Sequence, residues 1–490
     1  MKQKELPNIL WICTDQQRFD TIHALGNPHI NTPNIDRLVG NGVSFSNAYC
    51  QNPVCSPSRA SFLTGRYPRT TRLRQNGAKI PEDEILITKI LRDHGYVCGL
   101  SGKLHLAPCQ GRVEERIDDG YAEFHWSHGP WPKWKENQYI QWVNRQGEPW
   151  EELYSVSPEL FGKLGAAAED KEGRQAWAGI PVHLHQSYWC AEKAIEFMHK
   201  YRDAPWLFSV NPFDPHHPFD PPAEFLARYD PDRLPPPSYQ EGELDDKPIY
   251  QSQACRKGAS GGAHLSFEGT TDRQHRQIKA AYYAMIENVD YNVGRLIDAL
   301  EDTAQLENTL ILFTSDHGEM LGDHGIFLKG PYLYDPAVRV PLILSYPRKF
   351  QRGVRSDALV ELVDLAPTLL DLIGFPIPER MQGRSFLSIC HGENDLHHHK
   401  DYVYSEFYNS SASYRDPYPY LTMVRDKKFK IVAYGGMELG ELYDMENDPG
   451  EVINLWNDAG YRDVRFQYLK KCLDASVFTI DPLPERVGEY

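Results

Sequence analysis

The chain has 490 residues, 41% of them hydrophobic, enough for one large α/β domain and a smaller companion. Its formal charge of −16 argues against a nucleic-acid partner, although a local group of cations could still receive an anion. No apolar run reaches the ~20 residues that span a bilayer, so no membrane partner is expected.

The first seven residues are polar and carry no leader-like apolar stretch. The sequence as given therefore predicts a cytoplasmic location, or a periplasmic or secreted one if a leader has been removed. Nine cysteines, odd in number and loosely spaced, predict neither a disulfide framework nor a C-x-x-C zinc knuckle.

Asn8 to Cys13 reads as a buried strand, with Asp15 and Gln16 at its carboxyl end, where open α/β sheets bind ligands. Val43 to Tyr49 reads as a second strand delivering the chain to Cys55. In Cys55-Ser56-Pro57-Ser58-Arg59-Ala60-Ser61-Phe62-Leu63-Thr64-Gly65-Arg66, Ser56 suits a helix N-cap, Pro57 the first helical position and Gly65 the left-handed position past a short helix. Cys55 would then precede a helix N-terminus, where free N–H groups favour anionic oxygens. Arg59, one turn on, can lean back toward it.

Ile85 to His94 predicts a helix and Tyr96 to Leu100 a strand running into Lys103 and His105, which point the same way if the chain stays extended. Residues 107–175 read as an insertion carrying Trp126, Trp131, Trp134, Trp142 and Trp150. These either stack on sugar faces or form a satellite core. A helix over Tyr188 to Tyr201 and a strand over Trp206 to Val210 follow. Pro215 and Pro218 then fix where His216 points.

The segment 230–275, rich in Pro, Gly and charge, reads as an exposed loop. His275 to Glu301 has apolar residues at three- and four-residue steps and predicts a long helix. Thr309 to Phe313 is a further strand, leading into Asp316 and His317, with Lys329 beyond. Arg339 to Ser345 is another strand, and Asp364 would cap a helix. Past about Phe386, short strands and turns indicate a small α+β unit ending in a helix near residues 460–473.

Several of these stretches resemble the type I, formylglycine-dependent sulfatases of the alkaline phosphatase superfamily. Cys55 to Gly65 is similar to the signature C-x-P-S-R-x-x-x-L-T-G, and Thr32 to Leu38 to the family's TPNLDRL segment. Ser101 to Leu106 resembles GKWHLG, Pro215 to Pro218 resembles PHxP, and Asp316 to Lys329 resembles the second metal-binding element with its lysine. The resemblance covers nearly the whole chain. It extends to carbohydrate and glycosaminoglycan sulfatases and to phosphonate monoester hydrolases.

The resemblance implies a large mixed, mostly parallel sheet flanked by helices over residues 1–385, and an α+β subdomain with an antiparallel sheet over 386–490. It implies that a formylglycine-generating maturation enzyme oxidises Cys55, whose aldehyde hydrate attacks the ester sulfur with one hydroxyl. Deprotonation of the other hydroxyl then releases sulfate. Asp15, Gln16, Asp316 and His317 would bind one divalent cation that also contacts residue 55. Arg59 and Lys103 would steady residue 55 and the sulfate. His105 would take the proton, and His216 and Lys329 would serve the leaving oxygen.

Many sulfatases carry Asp-Asp and Asp-Asn where this chain has Asp15-Gln16 and Asp316-His317. The oxygen donors favour calcium and also suit magnesium, and the imidazole admits manganese or zinc. The expected activity is hydrolysis of a sulfated small molecule or saccharide. The alternatives are a formylglycine-dependent phosphonate monoester or phosphodiester hydrolase, and a binding protein with Cys55 unmodified.

Overall fold

The structure is a computed structural model describing residues 6–109, 112–129, 135–148, 153, 179–258, 265–393, 395–411, 414 and 416–484. Its central sheet is built from β1 (Asn8–Thr14), β2 (Val43–Tyr49), β3 (Val97–Gly102), β4 (Glu123–Trp126), β5 (Trp206–Asn211), β6 (Thr309–Ser315), β7 (Arg339–Val340), β8 (Leu342–Ser345) and β9 (Val354–Glu361). The order is β4-β3-β5-β1-β6-β8-β2-β7, with β9 pairing β2. The run from β4 to β6 is parallel throughout. Antiparallel pairs join β8 to β6, and β2 to β8 and β7.

β1 shows why a central strand of this sheet carries an unbroken apolar run, residues 9–13: every residue is buried, and the two faces feed two different cores. Ile9, Trp11 and Cys13 point into one core. Leu10 and Ile12 point into the other, where Val289, Val293 and Leu296 of the helix Asp272–Asp302 cover them. On the first face, Phe62 of the helix Cys55–Thr64 packs on Trp11 with ring centroids 5.4 Å apart. The signature helix is thus anchored against the strand that carries Asp15.

β10 (Val403–Tyr408), β11 (Tyr420–Arg425), β12 (Phe429–Tyr434) and β13 (Glu441–Asp444) form a separate antiparallel sheet, followed by a helix over Arg462–Phe478. Val403, Phe407 and Leu421 of this sheet share a core with Val43 and Phe45 of β2. All nine cysteines are free thiols. Among the described residues, no helix is long and apolar enough to cross a membrane.

Four local expectations are corrected. Val54, not Ser56, is the N-cap of the signature helix, and Cys55 is its first residue. The Ser56 N–H donates to Asn76 Oδ1 at 3.0 Å, so a distant side chain satisfies a group that a local cap would have served. Asp364 precedes the helix Leu365–Ile373 without capping it, because its carboxylate is taken by the Glu361 and Arg384 N–H groups and by Lys400. Segment 230–275 contains a helix, Ile249–Lys257, that buries Tyr250, Ala254 and Cys255. Finally, His105 has a φ of 62°, so residues 103–105 do not continue as extended chain.

Of the five tryptophans in 107–175, Trp126 is fully buried and donates to Glu114, and Trp142 is half-buried beside Tyr139. Both sit in packing rather than on an open face. Trp131, Trp134 and Trp150 lie outside the described residues.

Candidate active site

Four neighbouring parallel strands end at one edge of the sheet, and each delivers side chains there. Thr14 of β1 pairs with Ser315 of β6, so Asp15-Gln16 and Asp316-His317 leave the sheet side by side. Gly102 of β3 pairs with Asn211 of β5, placing Lys103 beside the segment that carries His216. Gly102 has a φ of +97°, and a Cβ there would lie 1.9 Å from the Asn211 carbonyl oxygen. Only glycine permits this close approach, which lets the Lys103 N–H donate to that oxygen at 2.9 Å.

The two aspartates divide their oxygens between two duties. The outer oxygens meet cations: Asp15 Oδ2 accepts from Lys103, and Asp316 Oδ2 accepts from Arg59 Nε at 2.8 Å. The Arg59 guanidinium also reaches the Lys103 carbonyl at 2.8 Å, and Arg59 is 1% exposed. The inner oxygens turn toward His317 Nε2, at 3.8 Å for Asp15 Oδ1 and 3.7 Å for Asp316 Oδ1. His317 Nδ1 lies 2.9 Å from the Gly318 carbonyl and donates its proton there, leaving the Nε2 lone pair facing inward. Cys55 Sγ sits 3.2 Å from that nitrogen and 3.7 Å from Asp15 Oδ1.

This donor set fits a divalent cation. Asp15, Asp316, His317 and Cys55 each offer a ligand atom within 4.8 Å of the others, all buried. Gln16 stands beside them, its backbone N–H on Asp316 Oδ1 at 3.0 Å. Its side-chain oxygen accepts from Lys329, and its amide nitrogen donates to Glu319.

The electrostatics follow from burial opposed by close charges. Burial would raise the Asp15 carboxyl, but Lys103, then Arg59 and His317, outweigh it and hold the group well below the usual range. Burial and Asp15 push the Cys55 thiol up, yet Lys103, His317 and Lys329 together bring it below its ordinary value. Burial, followed by His128, Lys103 and Arg59, keeps His105 well below the usual imidazole value, so it stands neutral and able to accept a proton.

Beyond Gln16, Lys329 Nζ lies 2.7 Å from His216 Nε2. His216 Nδ1 is 2.6 Å from the His217 carbonyl and donates to it, which leaves Nε2 to accept from the lysine. Burial first, and Lys329 second, hold this imidazole neutral as well.

Contacts join Asp15, Gln16, Cys55, Arg59, Lys103, His216, Asp316, His317 and Lys329 in one cluster, and His105 lies within electrostatic reach of Lys103, Arg59 and Asp15. Sequence reasoning passed over Glu319, a fully buried carboxylate that accepts from Gln16 and from the Leu321 N–H at 2.8 Å. Its place three residues after Asp316 was the available signal. It also passed over His128, two residues past the end of β4, where the same strand-end rule applies.

Comparison with known proteins agrees with this geometry. The profile of the sulfatase family matches residues 7–375, and a profile described as N-sulphoglucosamine sulphohydrolase, C-terminal, matches residues 322–477. An arylsulfatase of Clostridium perfringens is 29% identical over 95% of this chain and 93% of its own. An N-acetylglucosamine-6-O-sulfatase of Bacteroides thetaiotaomicron is 25% identical over 94% of this chain and 84% of its own. The crystal structure of a phosphonate monoester hydrolase of Agrobacterium radiobacter superposes with a TM-score of 0.84 at 26% identity, covering 99% of this chain and 98% of that one.

Proposed function

The chain belongs to the sulfatase family and is a sulfuric ester hydrolase; from that premise we propose that it removes sulfate from a sulfated carbohydrate, using an oxidised Cys55 as nucleophile and one divalent cation, calcium in preference to other metals. The observation that carries the proposal is the position of Cys55 Sγ, 3.2 Å from His317 Nε2 and 3.7 Å from Asp15 Oδ1, beside two buried cations.

Asp15, Gln16, Asp316 and His317 would hold the cation, with residue 55 alongside. When bound, it would lower the pKa of a hydroxyl on residue 55 and polarise the ester. Residue 55, once converted to the hydrated aldehyde, offers two hydroxyls, one to attack sulfur and one whose proton must leave afterwards. His105, held neutral by burial, is the group to take that proton. Arg59 and Lys103 fix the acidic side chains in register and present positive charge to the sulfate oxygens. Lys329, donating to His216 in the resting site, turns to the leaving oxygen, and the two groups share the proton it needs. Cys55 is 1% exposed, so a formylglycine-generating enzyme would have to reach it before the chain folds.

The carbohydrate assignment draws on the Bacteroides relative, named for an N-acetylglucosamine sulfate ester. The structural likeness to the Agrobacterium enzyme favours a second reading, hydrolysis of phosphonate monoesters at the same residues. Side-by-side kcat/KM values on glycosaminoglycan-type sugar sulfates, an aryl sulfate and an aryl phosphonate decide between them. The proposal expects a sulfate ester to lead, and a larger kcat/KM on the phosphonate would overturn it.

A further inference from the structure

A second buried group of metal-binding side chains lies beside the active site and outside the cation cluster described above. His105, Cys109 and His128 each offer a ligand atom within 4.8 Å of the other two. The His105 and His128 rings meet edge to face with centroids 4.3 Å apart. His105 and Cys109 are buried, and His105 Nδ1 is enclosed without a hydrogen-bond partner.

One carboxylate braces the loop that carries His105 against the end of β4. Glu114, 3% exposed, accepts from the N–H groups of His105 at 2.8 Å, Leu106 at 2.7 Å and Ala107 at 3.3 Å. Its Oε1 also accepts from the Trp126 indole at 3.0 Å. Glu114 thus ties the loop bearing His105 to the end of β4, two residues before His128. The loop holds His105 at a φ of 62°, a conformation non-glycine residues adopt at a cost. The backbone that carries His105 is thus fixed in advance, as a metal site requires.

We infer that His105, Cys109 and His128 form a second metal site, selective for zinc, distinct from the carboxylate-rich site at Asp15 and Asp316. Two imidazoles and a thiol are donors that suit zinc and disfavour calcium. Three protein ligands leave a fourth position open. Binding exchanges the Cys109 thiol proton for the ion and releases that proton to solvent, and the resulting thiolate offsets part of the repulsion from nearby Lys103 and Arg59. Among the described residues, a further grouping, His185, Asp214 and Asp220, differs in kind, because His185 Nδ1 and Asp214 Oδ2 already accept from Asn288, and Asp214 Oδ2 also from Ser187.

The site shares His105 with the proposed reaction, so zinc bound there removes the lone pair that would accept the proton and inhibits turnover; this part rests on the function proposed above. The test uses the calcium-loaded full-length protein, titrated with Co2+ as a spectroscopic probe and with Zn2+ as an inhibitor. A thiolate-to-cobalt charge-transfer band is expected in the wild type and in Cys55→Ala, and is lost in Cys109→Ser. His128→Gln, which changes a half-buried residue and keeps Cys109, weakens cobalt binding by about 10- to 100-fold. Cys109→Ser keeps its zinc-free turnover, and each variant, measured against its own zinc-free rate, needs at least about 10-fold more Zn2+ for half inhibition.

A wild type without the band, a band that survives Cys109→Ser, or zinc inhibition unchanged in both variants overturns the inference. A band with the expected ligand dependence, in a protein that hydrolyses no sulfate or phosphonate ester, would leave the zinc site standing and sink the functional reading instead.

Discussion

Lys329→Ala separates a group that serves the leaving oxygen from one that merely completes the pocket. Its ammonium donates to His216 Nε2 at 2.7 Å and to the Gln16 side chain. A positioned acid contributes about 10²- to 10⁴-fold to a proton transfer, or about 3–5 kcal/mol. An alkyl or sugar sulfate expels a poor leaving group and needs the whole of this contribution. An activated aryl sulfate needs little of it.

The variant should therefore lose at least about 100-fold in kcat/KM on the sugar ester and less than about 10-fold on the aryl ester. Its pH profile should change as well. Burial and then Lys329 hold His216 well below the usual imidazole value. Without the lysine, burial, His217 and Lys103 still oppose the charged form but less strongly, so the His216 pKa rises and its protonated fraction grows as the pH falls. Residual turnover of the sugar ester should then rise toward acid, relative to the wild type. Lys329→Gln, which keeps a donor for Gln16, and metal analysis of both variants control for disturbance of the cation site. Equal losses on both esters, with metal content unchanged, would refute the leaving-group role.

Two further outcomes concern stability. Asp15 and Asp316 keep Lys103 and Arg59 as partners without the cation, so chelation should leave the fold intact. Saturating calcium at 100 times its Kd should add about 2.7 kcal/mol, read as a rise in Tm by scanning fluorimetry; unfolding on chelation would contradict this. Burial opposes ionisation of Asp364, but Lys400 and His399 win and hold its carboxyl below the ordinary value. Such a group stabilises the fold above about pH 3.9, the unfolded aspartate value, and loses that contribution as the pH falls through its lower folded value. Lys400→Met strips the cation from Asp364 and Glu361, should cost about 3–5 kcal/mol, and should move acid unfolding to higher pH. An unchanged acid midpoint by circular dichroism would count against this pairing.

What was legible in the sequence was local. β1 and β6 carry unbroken apolar runs, residues 9–13 and 310–313, and Asp15 and Asp316 could be placed at strand ends from that pattern alone. Strand order was not legible in this way, because the neighbouring residues Thr14 and Ser315 are about 300 positions apart and no local signal pairs them. Their convergence came from the resemblance. The N-cap of the signature helix was misread because Asn76, remote in sequence, satisfies the Ser56 N–H. The helix Ile249–Lys257 was missed because its buried side is short and its flanks are rich in Pro and Gly. Glu114 has partners that are chiefly backbone N–H groups, which no spacing rule announces, whereas Glu319 stands three residues past Asp316, a local signal that the sequence does carry.

The central claim is that residue 55 acts as an oxidised nucleophile. The most direct measurement is fragmentation mass spectrometry of the tryptic peptide Leu38 to Arg59, from protein made in its native host. Cys50 lies in the same peptide, so the fragments must assign the modification to one site. The account predicts formylglycine at position 55 and an intact Cys50. An intact thiol at 55, with formylglycine present in a control sulfatase from the same cells, would contradict it.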